Sequence, residues 1–121
     1  MPSLNVIILT ADAERFRGVL TLTNAYLALG HPARLFHQLD AVRLLAPPVA
    51  GPRDAEHSAH GLPSLSALLE EALDSGLEII ACQSGLELAG IAASSLDPRI
   101  QIGGPVSFLQ STGVSERLLA V

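Results

Sequence analysis

The chain reads as an α/β protein: a mainly parallel five-stranded sheet between helical layers, a three-layer α/β/α sandwich in the flavodoxin-like style. Three observations predict it. Short apolar runs alternate with segments of helical periodicity in the order βαβαβαβαβ. Most connections are short, and every parallel pair of strands needs a crossover that a helix supplies. At 121 residues the chain has the length of one packed core, so residues 1–121 are expected to form a single domain.

The elements follow in order. Leu4–Leu9 is apolar, β-branched at its centre and bounded by Thr10-Ala11-Asp12, which predicts a strand buried on both faces. Glu14–Leu29 carries Phe16, Val19, Leu20 and Leu27 at helical spacing and ends at Gly30. After Pro32, Ala33–His37 predicts a second strand, and Asp40 is placed to cap a short helix through Leu45 that Pro47 and Pro48 would stop. The breaker-rich segment 47–62 has no sustained period and reads as a long loop, a candidate lid. Pro63 and Ser64 open a helix with Leu65, Leu68, Leu69, Ala72 and Leu73 on one side, closed by Gly76. Leu77–Ala81 predicts a third strand, and Ser84-x-x-Glu87 has the spacing of a capping box for a helix reaching about Ala89. Ile100–Ile102 predicts a fourth strand before Gly103-Gly104-Pro105, Val106–Leu109 a helix, and Arg117–Val121 a last strand. The first helix also has a second apolar stripe, Leu22, Ala25, Tyr26 and Leu29, wider than one sheet requires; this predicts burial against something more, either a second copy of the chain or neighbouring helices of the same one.

Composition narrows the chemistry. Hydrophobic residues make up 49% of the chain and charged ones 16%, with a mean hydropathy of +0.42, far from the balance of a disordered chain. All seven basic residues are arginine, so a Walker-A phosphate loop and a lysine Schiff base are excluded. A net charge of -5 and four aromatic residues, Phe16, Tyr26, Phe36 and Phe108, argue against nucleic acid. No apolar run is long enough to cross a bilayer, and a lone cysteine cannot form an internal disulfide; both point to a cytoplasmic protein without a membrane partner.

In an open parallel sheet, ligands bind beyond the carboxyl ends of the strands. Those positions here are Thr10 to Asp12, His37 to Asp40, Cys82 to Ser84, and Gly103 to Pro105. Cys82 falls on one of them, directly after a strand and just before a helix start, where the dipole favours the nucleophilic thiolate while nearby Glu87 opposes it; the alternative is a small buried hydrophobe at a strand end. Thr10, Asp12, Gln83, Ser84, Gly103 and Gly104 are the pocket or oxyanion-binding candidates, with Asp12 reading first as a helix cap and the glycines first as a turn. His57 and His60 could fold over Cys82 as lid residues; two ligands do not make a zinc site, and no metal is expected. The Gly-x-Ser-x-Gly elbow and the Gly-x-Gly-x-x-Gly fingerprint are both missing.

The stretch from Gly61-Leu-Pro-Ser-Leu through Leu77-Glu-Ile-Ile-Ala-Cys-Gln-Ser-Gly-Leu-Glu-Leu-Ala-Gly-Ile91, with the opening Leu-Asn-Val-Ile-Ile-Leu-Thr and the later Gly-Gly-Pro-Val-Ser-Phe-Leu, resembles the DsrE/DsrF-like family. The resemblance implies a small α/β/α fold, assembly as a trimer or hexamer of identical chains, and a persulfide on the cysteine matching Cys82 in members that relay sulfur between donor and acceptor proteins. The chemistry so implied is attack of a Cys82 thiolate on a sulfane donor, stabilisation of the persulfide by the Gln83 and Ser84 amides, and release of sulfur to an acceptor thiolate, with no metal or organic cofactor. The rival readings are a noncatalytic oligomer that binds a small ligand or scaffolds, and a thiol peroxidase that would need a resolving thiol from another molecule.

Overall fold

The computed structural model describes residues 2–113 and 116–121. Five parallel strands, β1 (Leu4–Ile8), β2 (Ala33–His37), β3 (Glu78–Cys82), β4 (Gln101–Gly103) and β5 (Arg117–Ala120), lie in the order β4-β3-β2-β1-β5. The register places His37 beside Ile8 and Ala81, and Cys82 beside Gly103. Five helices connect them: α1 (Ala13–Ala28), α2 (Asp54–Ala59), α3 (Leu65–Asp74), α4 (Gln83–Ala89) and α5 (Pro105–Gln110).

Neighbouring residues on a strand point to opposite faces. Phe16 of α1 meets His37 edge-on, whereas Phe108 of α5 stacks on Phe36, so α1 and α5 cover opposite faces of the sheet. α3 packs beside α1. The three layers expected from the sequence are therefore present. In the α1–α3 layer the core joins Val6, Ile8, Leu35 and Ile79 to Phe16, Leu20, Leu69 and Ala72. On the other face α5 is tied down by a polar cluster. Arg34 lies over the Phe108 ring, donates to the Phe108 carbonyl and to the Ser111 and Thr112 hydroxyls, and reaches the buried Asn5 at 2.7 Å. A cation at a helix C-terminus satisfies carbonyls that have no partner within the helix.

The first-helix boundaries follow their local signals: Asp12 accepts from the Glu14 and Arg15 amides, and Gly30 turns the chain at φ +87°. Ser64 likewise caps α3 by accepting from the Ala67 amide.

Four local expectations are corrected. Leu9 lies outside β1 and is exposed, because the chain already bends towards the Asp12 cap. Asp40 caps nothing: a 3-10 helix, Leu39–Leu45, begins before it, and its carboxylate pairs with Arg43 one turn on. Segment 47–62 is not all loop, since it contains α2, which buries none of its own residues and so leaves no apolar period to read. The Ser84–Glu87 capping box does not form, because β3 runs straight into α4 with Cys82 itself at the N-cap.

Candidate functional site

The chain advances from β1 to β4 in one direction, then returns across the opposite face to place β5 beside β1. It leaves β3 through α4, which packs on the 3-10 helix, and leaves β4 through α5 on the other face. Where adjacent strands send their connections to opposite sides, a crevice opens at their carboxyl ends. A cleft of about 360 Å³ occupies that place, lined by Cys82, Gln83, Ser84, Glu87, Gly103, Gly104 and Pro105.

Cys82 is 3% exposed and forms part of the cleft wall. Local geometry holds it from two sides. Gly103 is its register partner on β4, and a Cβ there would stand 3.1 Å from the Ile80 side chain. On the other side α4 is drawn against the 3-10 helix: a Cβ on Gly85 would lie 2.9 Å from both the Cα and the carbonyl carbon of Leu39. Leu39 is a non-glycine residue at φ +47°, a left-handed conformation that a branched side chain rarely adopts. Strain of this kind persists only where surrounding contacts over-determine it.

The other sequence-derived candidates divide. Gln83, Ser84, Gly103 and Gly104 meet Cys82 in the cleft. Thr10 and Asp12 do not; they follow β1, two strands from β3, and Asp12 serves as a cap. His57 and His60 are not a lid over the thiol. His57 Nε2 lies 2.8 Å from Glu14 on α1, and neither histidine lines the cleft. The reason is a clamp that the sequence reading missed. Buried Arg17 donates to Asp54 and to the Pro63 carbonyl, while Asp54 also accepts from the Gly51 and Leu65 amides, which pins α2 over the starts of α1 and α3. These bonds hold the Asp54 carboxyl below its ordinary range, the Gly51 amide most of all. Residues so distant in sequence carry no local signal of their pairing.

Glu87, expected from the sequence as a capping partner near Cys82, is instead a wall residue of the cleft: it lies three and four positions after Ser84 and Gln83, hence on the same helix face. His37, at the end of β2, is fully buried rather than presented to a ligand. Its Nδ1–H donates to the Ala41 carbonyl at 3.1 Å, Nε2 has no partner among the described residues, and burial pushes its pKa down to about 4 against the opposing effect of that bond. A larger groove of about 430 Å³, between Pro48, Leu69, Leu73 and Leu96, is lined by the hydroxyls of Ser66 and Ser95 but by no thiol or histidine, and Arg99 engages its acids Glu70 and Asp97. Among the described residues, no group of three or more His, Cys, Asp or Glu side chains is placed to hold a metal ion, and no helix is long and apolar enough to cross a membrane.

A family model described as the DsrE/DsrF/DrsH-like family matches residues 7–119. The chain belongs to this family. Membership suggests sulfur relay in general terms. Among solved structures, the chain is similar to the YchN protein of E. coli, with a TM-score of 0.77 at 20% identity over 100% of both chains. It is also similar to MTH1491 of Methanobacterium thermoautotrophicum, a protein of unknown function, with a TM-score of 0.73 at 14% identity and full coverage of both chains. BT1422 of Bacteroides thetaiotaomicron, likewise of unknown function, gives 0.62 at 20% identity over 97% of this chain and 93% of that one. Identities this low establish the shared fold alone. No curated protein matches the chain.

Proposed function

We propose that this DsrE-like protein is a sulfurtransferase or persulfide carrier that uses Cys82. The observation that carries the reading is the position of the chain's one sulfur nucleophile, at the wall of the crevice where β3 and β4 send their connections apart. A persulfide on Cys82 would extend the side chain by one atom into the cleft, beside the Gln83 and Ser84 amides that begin α4. Near-complete burial of the thiol fits a carrier that must keep a labile sulfur from water and stray thiols. Incubation with a small persulfide is expected to add the mass of one sulfur to the Cys82 peptide, reversibly with reductant, and Cys82→Ser should abolish it. An unmodified Cys82 in the native protein ends this reading.

The same 3% exposure also favours a second reading, in which the protein is a noncatalytic oligomer that binds a small ligand or scaffolds other chains. In that case Cys82→Ser leaves assembly and affinity intact. Either reading includes self-association into a trimer or hexamer. Its support is the α1 stripe, of which Leu22 is 51% and Leu29 73% exposed and Ala25 is exposed, while Tyr26 is half-buried against His31. Leu29→Glu should lower the mass seen by sedimentation if that stripe is the interface. Sulfur donor and acceptor proteins would be its transient partners.

A further inference from the structure

We propose that Glu87 makes the cleft selective for sulfur carriers that are neutral or cationic around the transferable sulfur, and that it turns away anionic ones such as thiosulfate; this rests on the sulfur-transfer reading above. Glu87 is the one charged side chain among the residues lining the cleft, and it forms no ion pair among the described residues. The arginines are placed elsewhere. Arg17 and Arg53 belong to the α2 clamp, Arg43 pairs with Asp40, and Arg99 gathers Glu70, Asp74 and Asp97. Arg34 is bound beneath α5, and neither Arg15 nor Arg117 lines the cleft. A net charge of -5 for the whole chain reinforces the local sign. α4, with seven residues, contributes only a short dipole to offset it.

The transfer itself needs no added charge. The Cys82 thiolate attacks the terminal sulfur of R–S–SH, a new S–S bond forms at Cys82 and the donor S–S bond breaks. The electron pair leaves with R–S⁻, and the proton stays on the transferred sulfur, so no oxidant or reductant is consumed. A thiosulfate donor would instead have to bring a dianion up to Glu87 and release sulfite there, with no cation in the cleft wall to receive either.

One positively and one negatively charged probe test the selection without depending on sulfur transfer. The 2-(trimethylammonio)ethyl and 2-sulfonatoethyl methanethiosulfonates each give a mixed disulfide with the attacked thiolate and expel methanesulfinate, and Cys82 is the chain's one target. The cationic-to-anionic ratio of second-order rate constants is measured for wild type, Glu87→Gln and Glu87→Arg, and divided by the ratio for N-acetylcysteinamide. A normalised ratio of about 3 to 10 is expected for wild type, as for unit charges several ångströms apart in a wet cleft. It should fall to about 1 in E87Q, invert in E87R and shrink for wild type in molar salt, where such interactions are screened. A ratio unchanged by E87Q overturns the proposal. The persulfides of cysteamine and 2-sulfonatoethanethiol are then compared by the mass gain at Cys82, the first being favoured. If the reagent ratio tracks Glu87 while neither persulfide sulfurates Cys82, the charge selection stands and the sulfur-transfer reading falls; if neither reagent labels native Cys82, both are overturned.

Discussion

Gly85→Ala tests how the fold holds Cys82. The added methyl carbon would stand 2.9 Å from two carbon atoms of Leu39, where relaxed carbon–carbon contacts are about 3.5 to 4.0 Å, so α4 and the Leu39 corner must part by roughly 0.6 Å or more. The corner has little slack. Leu39 already sits at φ +47°, a region that costs an L-residue about 1 to 2 kcal/mol. Overpacking of this kind costs about 1 to 3 kcal/mol, and alanine's advantage over glycine inside a helix returns roughly 0.5 to 1 kcal/mol. The same methyl would meet the Leu39 carbonyl oxygen more closely still, so the upper end of that overpacking range applies; a net loss of about 2 kcal/mol follows, and with a urea slope on the order of 2 kcal/mol/M the midpoint should fall by about 1 M. Because α4 carries Cys82 at its first turn, the parting should also speed alkylation of the native thiol. Gly18→Ala is the control: it lies within α1, a Cβ there meets nothing within 4 Å, and the variant should be stabilised by up to about 1 kcal/mol. A G85A protein with the wild-type midpoint and the wild-type alkylation rate would refute the close contact as the element that positions Cys82.

Three more outcomes are expected. Asp54→Ala leaves the buried Arg17 guanidinium without its carboxylate and should cost about 2 to 3 kcal/mol in urea unfolding, with protease cuts appearing in 47–62; unchanged resistance to protease would contradict the clamp. The same carboxyl is depressed in the folded state, so its contribution is present above its unfolded value near pH 4 and fades as pH falls through the lower folded one. Arg34→Met removes four hydrogen bonds under α5, should cost about 2 kcal/mol and should raise amide exchange across 105–110 selectively; uniform exchange would count against it. His37 is depressed from 6.5 to about 4, so the unfolded chain binds the extra proton between those values. Stability is full above pH 6.5 and should fall by about 1.4 kcal/mol per unit as the pH drops towards 4, a slope that His37→Gln should remove.

Legibility followed the range of the interactions. α1 and α3 could be read closely because an apolar period coincided with caps at Asp12 and Ser64 and with terminating Gly30 and Gly76. α2 could not, because its order comes from Asp54 and His57 reaching Arg17 and Glu14 on a distant helix. Ser84 and Glu87 had the spacing of a capping box, yet the direct passage of β3 into α4 moved the helix start to Gln83 and left both side chains facing the cleft. The left-handed Leu39 had no signature at all, since leucine disfavours that conformation and the corner it makes packs against Gly85, a residue far along the chain.

Local pattern alone was enough for the fold class, the alternation of strands and helices, and the placing of Cys82 at the end of a strand, because periodicity, caps and breakers act over a few residues. Strand order, and with it the choice of one crevice among several strand ends, came only with the tertiary structure. The carboxyl ends of β1 and β2 carry Asp12 and His37, no less reactive on paper than Cys82. The reversal of direction between α4 and α5 opens a crevice at the ends of β3 and β4, and that reversal is a property of how distant segments pack.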